Sequence, residues 1–102
     1  MSTDQSVFVV DDDDAVRESL EFSLKLAGYS VRSFESAIAF LDAVVDTRSA
    51  CLVTDVRMPD MDGIELQTEL KRRGSPMPVI VITGHGDIPL AVRAMKAGAT
   101  DF

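Results

Sequence analysis

The feature that most constrains the fold is a regular alternation between short, unbroken apolar runs and longer amphipathic stretches. The runs at residues 7–10, 52–54 and 79–82 are rich in β-branched residues, which is typical of parallel strands covered on both faces. Residues 29–34 alternate more clearly in polarity, which indicates an edge strand. Residues 100–102 are predicted to begin a fifth strand.

Amphipathic helices are predicted between these strands. In the first, Val16, Leu20 and Leu24 share one face, and Gly28 marks its end. The other three each follow a typical N-cap residue: Ser36, Asp62 and Asp87. Alternating strands and helices with right-handed crossovers predict an α/β fold. We expect a flavodoxin-like, doubly wound parallel sheet with the strand order 2-1-3-4-5.

Length and charge exclude several classes of protein. The 102 residues suffice for one domain, and the apolar fraction of 46% is that of a folded soluble chain. No apolar run approaches the ~18 residues of a membrane span, and the polar N-terminus does not resemble a secretory signal. We therefore expect a cytoplasmic location. A net charge of −7 argues against nucleic-acid binding by this domain alone. The single cysteine, Cys51, is predicted to be a buried structural thiol.

Polar residues stand where the predicted strands end. Strand 1 is followed by residues 11–14, all aspartates, strand 3 by Asp55 and strand 4 by Thr83. Ligands of doubly wound sheets bind at the carboxyl ends of the strands, where the winding reverses between strands 1 and 3. Crowded carboxylates repel one another unless a cation is present, and Mg²⁺ suits carboxylate, water and phosphate oxygens. One carboxylate could then attack phosphorus to form an acyl phosphate. We interpret Asp13 and Asp14 as a solvated turn at the favourable end of helix 1.

Three segments carry a resemblance to a known family. Residues 9–12 (VVDD), 53–63 (VTDVRMPDMDG) and 81–87 (VITGHGD) resemble response-regulator receivers of two-component systems. The likeness to the FixJ-like branch is close, particularly through residues 83–87 and 95–102 (MKAGATDF), and the resemblance covers essentially the whole chain.

The resemblance implies a role for each matching position. Asp55 would be the phosphorylation site. Asp12 would bind Mg²⁺ directly, Asp11 would bind it through a water or as a second ligand, and the backbone carbonyl of Arg57 would complete the protein ligands. Two further residues would form the switch: Thr83, as its hydroxyl, and Phe102, as its aromatic ring.

The resemblance also implies partners. A sensor histidine kinase would donate the phosphoryl group to this signalling domain, which would not be an enzyme in its own right. The surface of helix 4 and strand 5 would control an output and could form a homodimer, and a C-terminal DNA-binding domain would lie outside these residues. Receivers carry a lysine and a fifth helix after the strand 5 aromatic, whereas this sequence ends at Phe102. The expectation is therefore a receiver domain over residues 1–102 that is incomplete at its C-terminus.

Two alternatives remain open. A phosphatase of the haloacid dehalogenase type also forms an aspartyl phosphate with Mg²⁺, but it needs a second aspartate two residues after the nucleophile, where Arg57 stands here. The second alternative is an interaction module that has the receiver fold but no longer switches. The intact acceptor and acidic pair argue against it, and the absent lysine argues for it.

Overall fold

A four-stranded parallel sheet forms the framework of the molecule. The computed structural model describes residues 6–43 and 50–83. The elements in chain order are β1 (Ser6–Val10), α1 (Asp14–Leu26), β2 (Ser30–Phe34), α2 (Ala37–Asp42), β3 (Ala50–Asp55), α3 (Gly63–Arg72) and β4 (Val79–Ile82). The strand order is β2-β1-β3-β4, and every neighbouring pair is parallel. The predicted doubly wound sheet is thus confirmed for four strands, whereas the predicted fourth helix and fifth strand lie outside the described residues.

The register of the sheet determines which strand ends meet. Val10 pairs with Thr54 of β3, so the next residues along, Asp11 and Asp55, reach the same carboxyl edge. Asp55 pairs in turn with Ile82 of β4. The winding reverses between β1 and β3, because β1 has β2 on its other side and β3 has β4. This edge is therefore the place where ligands of such sheets bind.

The helices cover both faces of the sheet with separate apolar clusters. On one face α1 packs Leu20 and Leu24 against Val9 and Val53, and Cys51 lies in the same cluster, buried as predicted. On the other face α2 and α3 pack against the alternate strand residues. That cluster includes Phe8, Val10, Phe40, Leu52, Leu66 and Leu70. In the described ranges none of the helices has the length and apolar character of a membrane span.

Capping contacts confirm the predicted boundaries at Ser36, Asp62 and Gly28, whereas the predicted cap Asp87 lies outside the described residues. The Ser36 hydroxyl accepts a hydrogen bond from the Ala39 N–H at 3.0 Å. Asp62 and Glu65 form a capping box, with bonds of 2.8 and 2.9 Å between each side chain and the other's N–H. Gly28 follows α1 with a φ of 102°, a left-handed conformation that glycine adopts without a steric penalty.

Candidate functional site

Three carboxylates converge at the carboxyl edge of the sheet. Asp11 and Asp12 follow β1, and Asp55 is the last residue of β3. One ligand oxygen from each lies within 4.8 Å of the other two. Asp11 is buried, Asp55 is half-buried and Asp12 is exposed, so the cluster opens toward solvent on one side. Three carboxylate oxygens at this spacing can share a single hard cation.

Asp11 is held by hydrogen bonds at its N–H, its carbonyl and its Oδ1. Its N–H donates to the Phe34 carbonyl at 3.1 Å, which extends the pairing with β2 by one residue. Its Oδ1 accepts from the Asp13 N–H at 2.9 Å. Its carbonyl accepts from Nη1 of Arg17 at 2.7 Å. These contacts fix both the backbone and the carboxylate orientation of a residue that is only 1% exposed.

The electrostatics of the cluster favour a bound cation. Burial raises the pKa of Asp11 to about 6, the Asp13 N–H opposes this rise, and the charges of Asp55 and Asp12 add to it. Within residues 6–43 and 50–83, no lysine or arginine forms an ion pair with any of the three carboxylates. Arg17, the nearest candidate in sequence, pairs with Asp14 instead. A divalent ion would supply the positive charge that the described side chains do not.

The other two aspartates of the acidic run serve helix α1. Asp13 is its N-cap, and its side chain accepts from the N–H groups of Ala15 at 2.9 Å and Val16 at 3.2 Å. Asp14 lies in the first turn, where a negative charge suits the helix dipole. Both positions agree with the interpretation of these residues as part of the helix N-terminus.

The backbone of Asp55 is fixed by its neighbours on β3, β4 and α3. The buried Thr54 hydroxyl donates to the Asp55 carbonyl at 3.1 Å. The Val56 N–H donates to the Ile82 carbonyl at 2.9 Å, and the Val56 carbonyl accepts from the Gly63 N–H at 3.0 Å. The carboxylate of Asp55 therefore projects from a chain segment that is bonded on both sides.

A shallow depression adjoins Asp55 in the loop between β3 and α3. Its lining residues are Val56, Arg57, Met58, Pro59 and Asp62. The loop turns tightly at Asp60, which has a φ of 70° and lies between the Pro59 carbonyl and the Met61 N–H, 2.8 Å apart. This is the geometry of a γ-turn. The depression begins at Val56, the residue directly after Asp55.

Comparison with known proteins gives this arrangement a family. The sequence-family model of the response regulator receiver domain matches residues 7–102. The chain belongs to the response regulator receiver family.

Curated relatives and solved structures agree with that assignment. The receiver is 53% identical over 102 residues to the transcriptional regulatory protein FixJ of Bradyrhizobium diazoefficiens, covering all of this chain and 50% of the relative. It is 62% identical over 96 residues to FixJ of Azorhizobium caulinodans, covering 94% of this chain and 46% of the relative. The crystal structure of FixJ-N superposes with a TM-score of 0.74 at 52% identity, over 95% of this chain and 78% of that one. The chain spans about half the length of the curated relatives it matches.

The structure brings together some of the predicted site residues of the receiver. Asp11, Asp12 and Asp55 form the acidic cluster. Arg57 lines the adjoining depression. Thr83 is an exposed residue directly after β4, one position beyond the partner of Asp55 in the sheet. Phe102 lies outside the described residues, and the roles of all six residues stay predictions.

Sequence reasoning missed two residues that shape the site, Arg17 and Thr54. Arg17 bonds the Asp11 carbonyl, and its spacing of three from Asp14 signals an ion pair but not this second contact. In the sequence, Thr54 is one more residue of a predicted buried strand. No sequence pattern indicates that its hydroxyl bonds the Asp55 carbonyl.

Proposed function

We propose that this receiver is the phospho-acceptor module of a two-component response regulator, with Asp55 as the phosphorylated residue. The observation that carries the proposal is the convergence of Asp11, Asp12 and Asp55 within 4.8 Å at the carboxyl edge of the sheet. Asp55 is the one member of the cluster that ends the strand β3, and the loop that follows it lines the open depression. Asp55 is half-buried rather than buried, so a phosphoryl donor can reach it from solvent.

The donor set fits Mg²⁺, because this ion binds through a few carboxylates and retains coordination positions for water and phosphate oxygens. Asp11, Asp12 and the carboxylate of Asp55 would hold it, with the Arg57 backbone carbonyl as a further ligand. When bound, Mg²⁺ would offset the negative charge of the carboxylates and of the incoming phosphoryl oxygens.

Asp55 acts as the nucleophile in this proposal. A carboxylate oxygen forms a bond to phosphorus as the bond from phosphorus to the nitrogen of a kinase phosphohistidine breaks, and that nitrogen keeps the electron pair. Asp11 is buried and is held by hydrogen bonds at three polar groups, so its position in the site is fixed. In this proposal the Thr83 hydroxyl senses the phosphoryl group. Phe102 is the aromatic residue whose position is coupled to that of Thr83.

The downstream consequence is a shift between two states of the surface formed by the fourth helix and fifth strand. That surface would control an output, which the full-length relatives suggest is transcription. Both relatives are transcriptional regulatory proteins by name, and this chain matches about half of each. Dimerisation through the same surface is part of the proposal.

Phosphoryl transfer to Asp55 is tested by intact-protein mass spectrometry after incubation with acetyl phosphate and Mg²⁺. One added phosphoryl group is expected in the wild type and none in Asp55→Asn. Asp60→Asn is the matched control, because it removes the same charge from the loop that follows β3 and asparagine tolerates the positive φ of Asp60. Labelling that persists in Asp55→Asn would refute the assignment.

Two alternatives are distinguished by the same material. Absence of Mg²⁺ binding near neutral pH would favour an interaction module that does not switch. Catalytic turnover of a phosphate ester would favour a phosphatase of the haloacid dehalogenase type.

A further inference from the structure

We propose that Arg17 is a positioning residue of the acidic site: by bridging the Asp11 carbonyl and the Asp14 carboxylate, it holds the turn that sets Asp11 and Asp12 beside Asp55. The inference rests on the proposed function, in which these carboxylates bind Mg²⁺. It assigns a role to a residue of α1 that is not among the proposed metal ligands.

The guanidinium of Arg17 spans the turn between β1 and α1. Nη1 donates to the Asp11 carbonyl at 2.7 Å, and Nη2 forms an ion pair with Asp14. The backbone N–H of Arg17 donates to the Asp13 carbonyl at 2.9 Å in the first turn of the helix. One side chain therefore connects the residue before the turn to the first residue of the helix after it. Only 16% of the Arg17 side chain is exposed, against 79% for Asp14, so the bond to the Asp11 carbonyl is the more shielded of the two contacts.

The Asp11 carbonyl depends on this contact. β1 ends at Val10, and no backbone N–H in the described ranges donates to the Asp11 carbonyl. Arg17 is its hydrogen-bond donor. A buried carbonyl that loses its donor favours a different backbone conformation, in which water or another group can reach it. Such a change begins one residue before Asp12.

The shape of this turn sets the geometry of the metal ligands. Asp12 is exposed, so packing contributes little to its position, and the backbone on either side of it must do so. Asp11 precedes it and is bonded by Arg17, and Asp13 follows it and is bonded as the helix N-cap. Residues that orient metal ligands without touching the ion alter metal affinity by roughly 10–100-fold when removed.

A lysine cannot reproduce the bridge. The planar guanidinium presents separate donors to Asp11 and Asp14, whereas an ammonium group is a single point charge on a flexible stem. Arg17→Lys therefore keeps the charge of the residue while weakening the geometry. This separates positioning from a simple electrostatic effect on the acidic cluster.

The experiment is a Mg²⁺ titration of the full chain by isothermal titration calorimetry. Arg17→Met is expected to weaken Mg²⁺ affinity about tenfold, and Arg17→Lys by a smaller factor. Arg72→Met is the matched control: Arg72 also pairs with an acidic residue three positions earlier, Glu69, and its loss changes the net charge equally. Arg72 lies at the far end of α3, so this variant should bind Mg²⁺ as the wild type does.

Two further readouts separate positioning from a general structural defect. In metal-free protein, amide hydrogen exchange at Asp13 should accelerate in Arg17→Met, because its bond to Asp11 Oδ1 depends on the same turn. At saturating Mg²⁺, labelling of Asp55 by acetyl phosphate should return to the wild-type level. Labelling that stays low at saturation would overturn the positioning role.

The outcomes distinguish this inference from the function on which it rests. Wild-type Mg²⁺ affinity in Arg17→Met would overturn the role of Arg17 and leave the proposed function standing. A wild type that binds no Mg²⁺ would overturn both. If Arg17→Met does not fold, the Mg²⁺ affinity of Arg17→Lys tests the inference. Wild-type Mg²⁺ affinity in that variant would contradict the need for one side chain to bond both Asp11 and Asp14.

Discussion

Gly63 lies so close to the Asp55 carbonyl that a β-carbon on it would sit 2.2 Å from that oxygen. Gly63 begins α3, and its N–H also bonds the Val56 carbonyl at 3.0 Å. The start of the helix is thereby packed against the backbone of the proposed phospho-acceptor. The absence of a side chain at Gly63 allows α3 to begin this close to the backbone at the end of β3.

Gly63→Ala should destabilise the protein by about 2 kcal/mol, because either α3 or the end of β3 must move to admit the methyl group. Urea unfolding measures this change, and acetyl phosphate labelling of Asp55 should slow in parallel. Gly74→Ala is the control: its φ of 77° strains an alanine, but nothing lies within 4 Å of the added carbon. That variant should lose about 1 kcal/mol and label normally. Equal stability of Gly63→Ala and wild type would contradict the packing argument.

Stability in metal-free buffer should fall as the pH rises from about 4 to about 6. The pKa of Asp11 is raised from 3.8 to about 6 in the folded protein, so between these values the folded state binds more protons than the unfolded state. The free energy of unfolding therefore decreases with rising pH in this window and levels off above it. Urea unfolding as a function of pH measures the slope.

Asp11→Asn is the control for this pH dependence, because its amide does not titrate. The decrease between about pH 4 and about pH 6 should be absent from that variant. Saturating Mg²⁺ should also remove it from the wild type, since the ion stabilises the deprotonated carboxylate. An unchanged slope in Asp11→Asn would show that another group is responsible.

Asp12→Asn should reduce Mg²⁺ affinity at least about tenfold, since it removes one of three carboxylates that can share the ion. Its stability should change little, because the side chain is exposed. Asp60→Asn removes the same charge outside the cluster and should retain affinity. Calorimetric titration measures both, and an equal loss in the two variants would point to overall charge rather than to a defined site.

Cys51 should resist alkylation by iodoacetamide in the folded protein. The thiol is buried in the cluster beneath α1, and burial raises its pKa to about 11, so little reactive thiolate forms near neutral pH. A cysteine at the exposed Ser19 of the same helix provides the comparison in a Ser19→Cys variant. Its added thiol should react at least about tenfold faster in a mass-spectrometric time course. Similar rates at both positions would contradict the burial of Cys51.

The strands and helix caps could be predicted because their signals are local. A run such as residues 79–82 has few alternatives to a buried strand, and β4 has these same bounds. Ser36 and Asp62 cap helices through bonds to an N–H three residues ahead, so nearly all the information lies within one turn. The strand order followed from general rules for alternating strands and helices.

The contacts around the site could not be read in the same way, because they join segments whose approach depends on the complete fold. Arg17 has an obvious partner in Asp14, yet its bond to the Asp11 carbonyl requires the particular turn after β1. The raised pKa of Asp11 arises from burial, which depends on β2 and α1 together. Gly63 stands in a loop motif, but its contact with Asp55 appears only when α3 is packed.

The sequence by itself determined the chemical groups and the order of the elements that carry them, since hydrophobic periodicity and capping are properties of neighbouring residues. The tertiary structure decided which of the aspartates share a site. Parallel pairing of β1 with β3 brings Asp11 and Asp12 close to Asp55. Asp13 and Asp14 instead form the N-cap and the first residue of α1. Four consecutive aspartates are alike in sequence, and only the path of the backbone after β1 separates two candidate metal ligands from the N-cap and the first residue of α1.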